Sequence, residues 1–241
     1  MQLYFVRHGQ SENNLLWDRT GADKGRSDDP ALTEIGRRQA ALVAQFLSRP
    51  KTVDGGLMDL HNVYGFGITH VYASLMIRAI ETGSAIAKAL GLPLVALEAL
   101  HEAGGIYFKD EETGEYIQRP GKNRVYFQTQ FPDCVLPDCV TEEGWWNRPY
   151  ETPEQCLPRA RRALDELWVR HGQSEERVVV VTHGAFYNYM LSVILNLPES
   201  SSNQYWFVMN NCAITRIDFI GERVIVPYTN RVDFLPKELI T

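Results

Sequence analysis

RVVVVTHG (residues 177–184) is an uninterrupted β-branched run that ends in His183-Gly184. A run apolar on both faces reads as a buried strand of a parallel sheet. It is followed at once by AFYNYMLSVILNL (185–197), an apolar helix stopped by Pro198, and preceded by PEQCLPRARRALDELWVRHG (153–172), which is helical in pattern from Thr152 or Pro153. The same alternation occurs elsewhere. MQLYFV (1–6) is a β-prone opening run. THVYAS (69–74) reads as a strand entering the helix MIRAIETGSAIAKALG (76–91), which Gly91 and Pro93 end. PLVALEAL (93–100) reads as another strand, and 205–220 and 222–230 as a hairpin turning at Gly221. Strands alternating with helices predict an α/β fold, a three-layer sandwich with a mostly parallel central sheet flanked by helices. ALTEIGRRQAALVAQFL (31–47) is a further amphipathic helix with Thr33 placed to cap it; Gly36 at the third helical position rules out a capping box.

Two regions break the rhythm. Residues 50–67 are glycine-rich and read as a loop insertion. Residues 103–155 carry glycines, prolines and many aromatics, among them Trp145 and Trp146, and read as a cap inserted into a single domain spanning 1–241. Packing within that cap is the expected role of both tryptophans. Arg119, Lys122 and Arg124 form a basic trio there that suits either a second anionic group of a ligand or a solvated turn, and Arg148 has the same two readings.

The chain has 241 residues, 44% hydrophobic and 22% charged, with a net charge of −6. That balance argues against nucleic acid as a partner and leaves a small anionic ligand open, since local charge decides the latter. No apolar run has the length of a membrane span, and the N-terminus lacks a basic region before a short apolar stretch, so a cytoplasmic setting is expected. The four cysteines form no C-x-x-C pair, which leaves zinc and redox signatures out; a Cys134–Cys139 disulfide stays open.

The heptapeptide VRHGQSE occurs twice, at 6–12 and 169–175. The second copy ends a helix: Arg170 and His171 complement the helix dipole and Gly172 caps it. The first copy follows a strand, so Arg7 and His8 stand past its carboxyl end, where open α/β sheets place their ligands. His183 stands likewise after RVVVVT, and Arg78 lies in the first turn of the helix after HVYAS. Parallel strands would therefore aim Arg7, His8, Arg78 and His183 at one rim. Two guanidiniums offer forked donors to a tetrahedral oxyanion. A neutral imidazole can attack phosphorus, and a second can donate to the equatorial oxygens. A leaving alkoxide then needs a proton, for which Glu102, after another predicted strand, is placed. No metal ligand set such as H-E-x-x-H or H-x-H is present, so neither a metal nor another cofactor is expected.

With these residues in view, the chain resembles the histidine phosphatase superfamily, which includes cofactor-dependent phosphoglycerate mutases. FVRHGQSENN (5–14) is similar to that family's first motif. PALTEIGRRQA (30–40), YASLMIRAIETG (72–83), LHEAGG (100–105) and VVVVTHGAF (178–186) match its later elements in order. The resemblance implies that His8 is the phosphorylated nucleophile and Glu102 the acid that later activates water. It implies that Arg7, Arg78 and His183 hold the phosphoryl group, with Asn14, Gln10 and Gly184 as further contacts. It implies a mostly parallel sheet with a variable cap over the pocket. The basic, proline-rich segment that mutases carry after the acid is replaced here by residues 117–156, which shifts the expected reaction from phosphomutase to hydrolysis of a small phosphorylated metabolite. A phosphomutase and a non-catalytic phosphate-binding protein are the rival readings.

Overall fold

The computed structural model describes residues 1–52, 59–198 and 204–241. Nine strands are present among them: β1 (Gln2–Arg7), β2 (His70–Ala73), β3 (Leu94–Ala96), β4 (Tyr107–Lys109), β5 (Tyr116–Gln118), β6 (Cys134–Val135), β7 (Arg177–Thr182), β8 (Ile214–Ile220) and β9 (Arg223–Arg231). Six helices accompany them: α1 (Glu12–Thr20), α2 (Glu34–Leu47), α3 (Ile77–Leu90), α4 (Arg124–Gln130), α5 (Pro153–His171) and α6 (Gly184–Ile194). Seven strands form one sheet in the order β6-β3-β2-β7-β1-β8-β9. The pairings from β6 to β1 are parallel, and β8 and β9 add an antiparallel edge beside β1.

The alternation of side chains along the central strands builds the three layers. Tyr4, Val6, Val179 and Val181 enter one core with α2, α3 and the 103–155 region. Leu3, Phe5, Val178 and Val180 enter the other, with α5 and α6. Both faces of β1 and β7 are thus covered, which is why RVVVVT has no polar face.

Several expectations are corrected. α1 has no counterpart among the expected elements: Ser11 caps it through a capping box with Asn14, and the helix buries no residue fully, so no apolar periodicity announces it. PLVALEAL is a strand only over Leu94–Ala96 and then tightens into a 3-10 turn at Glu98–Leu100. The run 205–220 becomes a strand only at Ile214, because Cys212 is left-handed (φ 57°) and Asn211 turns its side chain to the His8 carbonyl. Gly172 does cap α5, but in right-handed conformation (φ −59°); its lack of a side chain serves contact with Trp168, whose carbonyl oxygen would lie 2.6 Å from a Cβ. Within the expected loop insertion, residues 53–58 lie outside the described residues. The remainder contributes to the core: Phe66 is buried, and Asn62 bonds the Tyr4 and Tyr228 hydroxyls.

Residues 103–155 have their own hairpin, β4–β5, but β6 joins the edge of the main sheet beside β3. Trp145 and Trp146 are buried in the core, Trp146 against Gly105, where a Cβ would meet the indole at 2.1 Å. The four cysteines are free.

Two glycines set the loop after β1 against α2. A Cβ on Gly36 would lie 2.1 Å from the Gln10 carbonyl oxygen, and one on Gly9 would lie 2.5 Å from the Gly36 carbonyl oxygen. Backbone meets backbone there, and neither side can yield. Gly36→Ala is therefore expected to lower stability by about 2 kcal/mol or more, read from the urea midpoint; an unchanged midpoint would contradict this packing.

Candidate functional site

β1, β7 and β2 are neighbours and parallel, with Arg7 opposite Thr182 and Ala73 opposite Val181. The residues just beyond their carboxyl ends therefore emerge side by side: His8, His183 and Ser74. His8 N–H donates to the Thr182 carbonyl (3.0 Å) and Ser74 N–H to that of Val181 (3.1 Å), so the strand ends remain paired to the last residue.

The His8 ring is buried. Its Nδ1 lies 2.7 Å from the Gly9 carbonyl, which can only accept, so Nδ1 carries the proton. Nε2 then presents a lone pair, which accepts from Arg78 Nε–H at 3.1 Å. Burial, with Arg78 and Arg7 beside the ring, pushes His8 well below the ordinary imidazole range. The His183 ring lies 5.1 Å away, centroid to centroid. Its Nε2 is 2.9 Å from Ser74 Oγ, while its Nδ1 is buried without a partner. Burial, with Arg78 and His8 nearby, lowers its pKa in the same way.

Arg78 lies in the first turn of α3 and is held near Asp29 (3.9 Å). Asp29 accepts from Ile77 N–H, and burial pushes its carboxyl up to about 6 against the pull of Arg78. Arg7 donates through Nη1 to the Met209 carbonyl (2.7 Å), and its buried Nε has no partner. A Cβ on Gly184 would stand 3.6 Å from that Nε. Glu102 sits on the first turn of α6: Oε1 accepts from Phe186 N–H (2.8 Å) and Oε2 from Ala185 N–H (3.2 Å). The charges of both Arg7 and Arg78 feel this carboxylate. The structure thus brings Arg7, His8, Arg78, Glu102, His183 and Gly184 together.

The polar contacts expected of Gln10 and Asn14 are largely spent within the protein. Gln10 accepts from Thr33 Oγ1 (2.8 Å) and donates to Asp18 (3.4 Å). Asn14 Oδ1 closes the α1 capping box and accepts from Asn211. Of the basic trio, Arg124 is consumed by the Val140 and Pro137 carbonyls. Lys122 lies over Tyr126 and feels Asp29, Arg119 lies over Phe108, and Arg148 pairs with Glu98.

Several supports were not legible beforehand. Gln39 accepts from Gln10 N–H (2.7 Å) and Thr82 from Gly9 N–H (3.0 Å), so the matched helix motifs brace the histidine loop. Arg159 forms a buried pair with Glu151 and donates to the Ala99 and His101 carbonyls, which pins the residues before Glu102. Arg26 reaches the Tyr107 hydroxyl (2.6 Å), has a buried Nε without a partner, and stands close enough to Arg78 to depress it. Lone polar residues in loops carry no periodicity by which to find them.

Two close imidazoles between two guanidiniums, at the carboxyl ends of a parallel sheet, define an α/β protein with a site suited to an oxyanion. The chain belongs to the histidine phosphatase superfamily (branch 1), whose sequence model matches residues 3–55 and 60–231. It is 28% identical over 221 residues to the probable phosphoglycerate mutase GpmB of Yersinia pestis (strain Pestoides F), covering 91% of this chain and 85% of that one. Among solved structures it is similar to a mycobacterial glucosyl-3-phosphoglycerate phosphatase in complex with VO3 (TM-score 0.61, 17% identity, 96% of this chain and 99% of that one). It is also similar to a phosphoserine phosphatase mutant from Entamoeba histolytica in complex with phosphoserine (TM-score 0.59, 18% identity, 98% and 99%). At those identities the structures bear on the fold. Among the described residues no helix is long and apolar enough to cross a membrane.

The depressed histidines have a measurable consequence. His8, His101 and His183 all lie well below 6.5, principally through burial. As pH falls through 6.5 only the unfolded chain takes up these protons, so the stability present above that value is lost below it. The slope is on the order of 1 kcal/mol per pH unit for each histidine. Asp29, raised from 3.8 to about 6, takes up its proton first in the folded state and offsets one of the three. Urea unfolding between pH 7.5 and 5.5 is expected to show falling stability; a flat profile would mean that the rings are charged in the fold.

Proposed function

We propose that the protein is a metal-independent phosphatase that hydrolyses a small phosphomonoester through a phosphohistidine intermediate. The observation that carries this reading is the His8 ring: neutral, protonated at Nδ1, with the Nε2 lone pair aimed at Arg78. A phosphoryl oxygen would take over the Arg78 N–H and free that lone pair for in-line attack. The Nε2–P bond forms as the bond from phosphorus to the leaving oxygen breaks, and Glu102 delivers the proton to that oxygen. In the second step Glu102 takes a proton from water, which attacks phosphorus and breaks the P–N bond. Ser74, donating to His183 Nε2, would leave Nδ1–H as the donor to the equatorial oxygens, which explains its burial without a partner. The unpaired Nε of Arg7 fits the same anion. Asn14 keeps its amide Nδ2 for a further contact. Positive charge comes from the two arginines, so the chemistry requires no cofactor.

Arg26 stands beside this cluster as one more cation, and it favours substrates that carry a second anionic group beside the phosphoryl group. Phosphoserine and 3-phosphoglyceric acid, bound by the Entamoeba phosphatase in its solved structures, have that character. A phosphomutase is the second reading, favoured by the likeness to the Yersinia protein. It would use the same residues, require a phosphorylated primer and return an isomer instead of free phosphate. A cytoplasmic setting accords with the proposed metabolite substrate.

Phosphate release from a panel of phosphorylated metabolites and p-nitrophenyl phosphate, in chelator, tests the reading. His8→Ala is expected to lose about a thousandfold or more, and Glu102→Gln about 100- to 10,000-fold. His171→Ala, altered in the second heptapeptide, should keep its turnover per folded molecule. Equal rates for wild type and His8→Ala would overturn the mechanism; isomerised product without phosphate would select the mutase.

A further inference from the structure

The second VRHGQSE copy leads to a cluster that the proposed phosphatase does not use. His171 ends α5, His70 opens β2, and Glu176 stands one residue before β7. Three separate segments thus converge at the amino ends of the parallel strands. Six residues of β7 separate this place from His183, about 20 Å of extended chain. One donor atom from each of the three side chains lies within 4.8 Å of the others.

The contacts are organised as a metal site would be. His171 is buried, and its Nδ1 meets Glu176 Oε2 at 2.5 Å. Its Nε2 is held by the Tyr72 hydroxyl at 2.9 Å, which fixes the ring. Ser174 donates to the same Glu176 oxygen (3.1 Å). His70 Nδ1 faces the other oxygen of Glu176 at 3.8 Å, with Thr69 Oγ1 beside it at 2.9 Å, and the two imidazole centroids are 4.5 Å apart. A hydrogen bond between His171 and Glu176 would suffice to tie the helix end to the strand. It leaves unexplained the second imidazole turned to the same carboxylate. His70 and Glu176 are about one-third exposed (37% and 34%), so an ion has access and His70 has room to move.

We propose that His70, His171 and Glu176 bind a divalent transition metal, Zn²⁺ by preference, with water as the fourth ligand. Two imidazoles and one carboxylate are a borderline-soft set suited to tetrahedral zinc. Bonds of about 2.0–2.1 Å place ligand atoms about 3.3 Å apart. The ion therefore replaces the proton between His171 and Glu176, widens that contact, and draws in His70. So bound, it joins β2, α5 and the entry to β7. It stabilises the fold and takes no part in phosphoryl transfer.

Untagged full-length protein, stripped with chelator, is titrated with ZnCl₂ by calorimetry, and with Co²⁺ to record the visible bands of a tetrahedral ion. One equivalent is expected to bind. His70→Ala and Glu176→Gln should each weaken binding about tenfold or more and remove the cobalt bands. His61→Ala, at an exposed histidine outside the cluster, should change nothing. Excess Zn²⁺ should raise the Tm of wild type but not of His70→Ala; circular dichroism checks that both partly exposed variants fold. His8→Asn separates this site from the phosphatase cluster and should bind zinc as wild type does. No binding by wild type, undiminished binding by His70→Ala, or loss in His8→Asn alone would overturn the proposal.

Discussion

Arg7 lies opposite Thr182, and Ala73 opposite Val181, on three adjacent parallel strands. This register is the constraint from which the rest follows. Because side chains alternate along a strand, a slip of one residue in any of the three would exchange its two faces and turn the following residue away from its neighbours. The register is strongly specified here, since both faces of β1 and β7 are buried and each alternate residue belongs to a different core. Hydrophobic packing on the two sides thus places His8, Ser74 and His183 together, and the Ser74–His183 hydrogen bond follows from that placement. His8 itself sits beside two guanidiniums, and burial keeps its ring neutral.

The cost of assembling cations around neutral rings is met by groups behind the site. Asp29 faces Arg78, and its own carboxyl is raised to about 6 because burial outweighs that pairing. Glu102 is oriented by the first turn of α6, the same turn that begins beside His183. Arg159 and Glu151 form a buried pair whose spare donors hold the chain just before Glu102. Buried ion pairs are weak sources of net stability, but they fix geometry where removal of one partner would leave a charge stranded. Among the described residues, the buried polar atoms without partners include Arg7 Nε and His183 Nδ1, on residues that converge on His8, together with Arg26 Nε, Asp29 Oδ2 and the indole nitrogens of Trp145 and Trp146.

The parallel sheet and its four principal helices were legible because they are periodic. RVVVVT, the α2 and α3 stripes and the capped ends each carry a local physical signal. The residues brought together at the rim were legible for a related reason, since strand ends in a parallel sheet share a side. What escaped the sequence was what lacks a period. α1 buries no residue fully, and its polar residues are tied by a capping box and by the Asn13–Ser27 and Asn14–Asn211 bonds. The 208–213 segment turns where a strand was expected because the carbonyl of Met209 and the side chain of Asn211 serve Arg7 and the His8 loop. The bonds of the Gln10 side chain to Thr33 and Asp18 are likewise unannounced by any local pattern. Buried, loop-borne polar groups such as Arg159 and Arg26 find partners far along the chain, and no local pattern records such a distance.

The two copies of VRHGQSE show how little a short motif determines alone. His8 and His171 have the same neighbours in sequence and both are buried. His8 follows a strand, so its ring is delivered among cations and its lone pair is exposed to them. His171 ends a helix, so its ring lies against the opposite end of the sheet, where Glu176 and Tyr72 engage both nitrogens. Burial, with two guanidiniums beside it, keeps the His8 imidazole neutral, whereas the neighbour of the His171 ring is a carboxylate. The topology sets which neighbour each ring receives. One heptapeptide therefore supplies a ring beside guanidiniums at one end of the sheet and a ring against a carboxylate at the other.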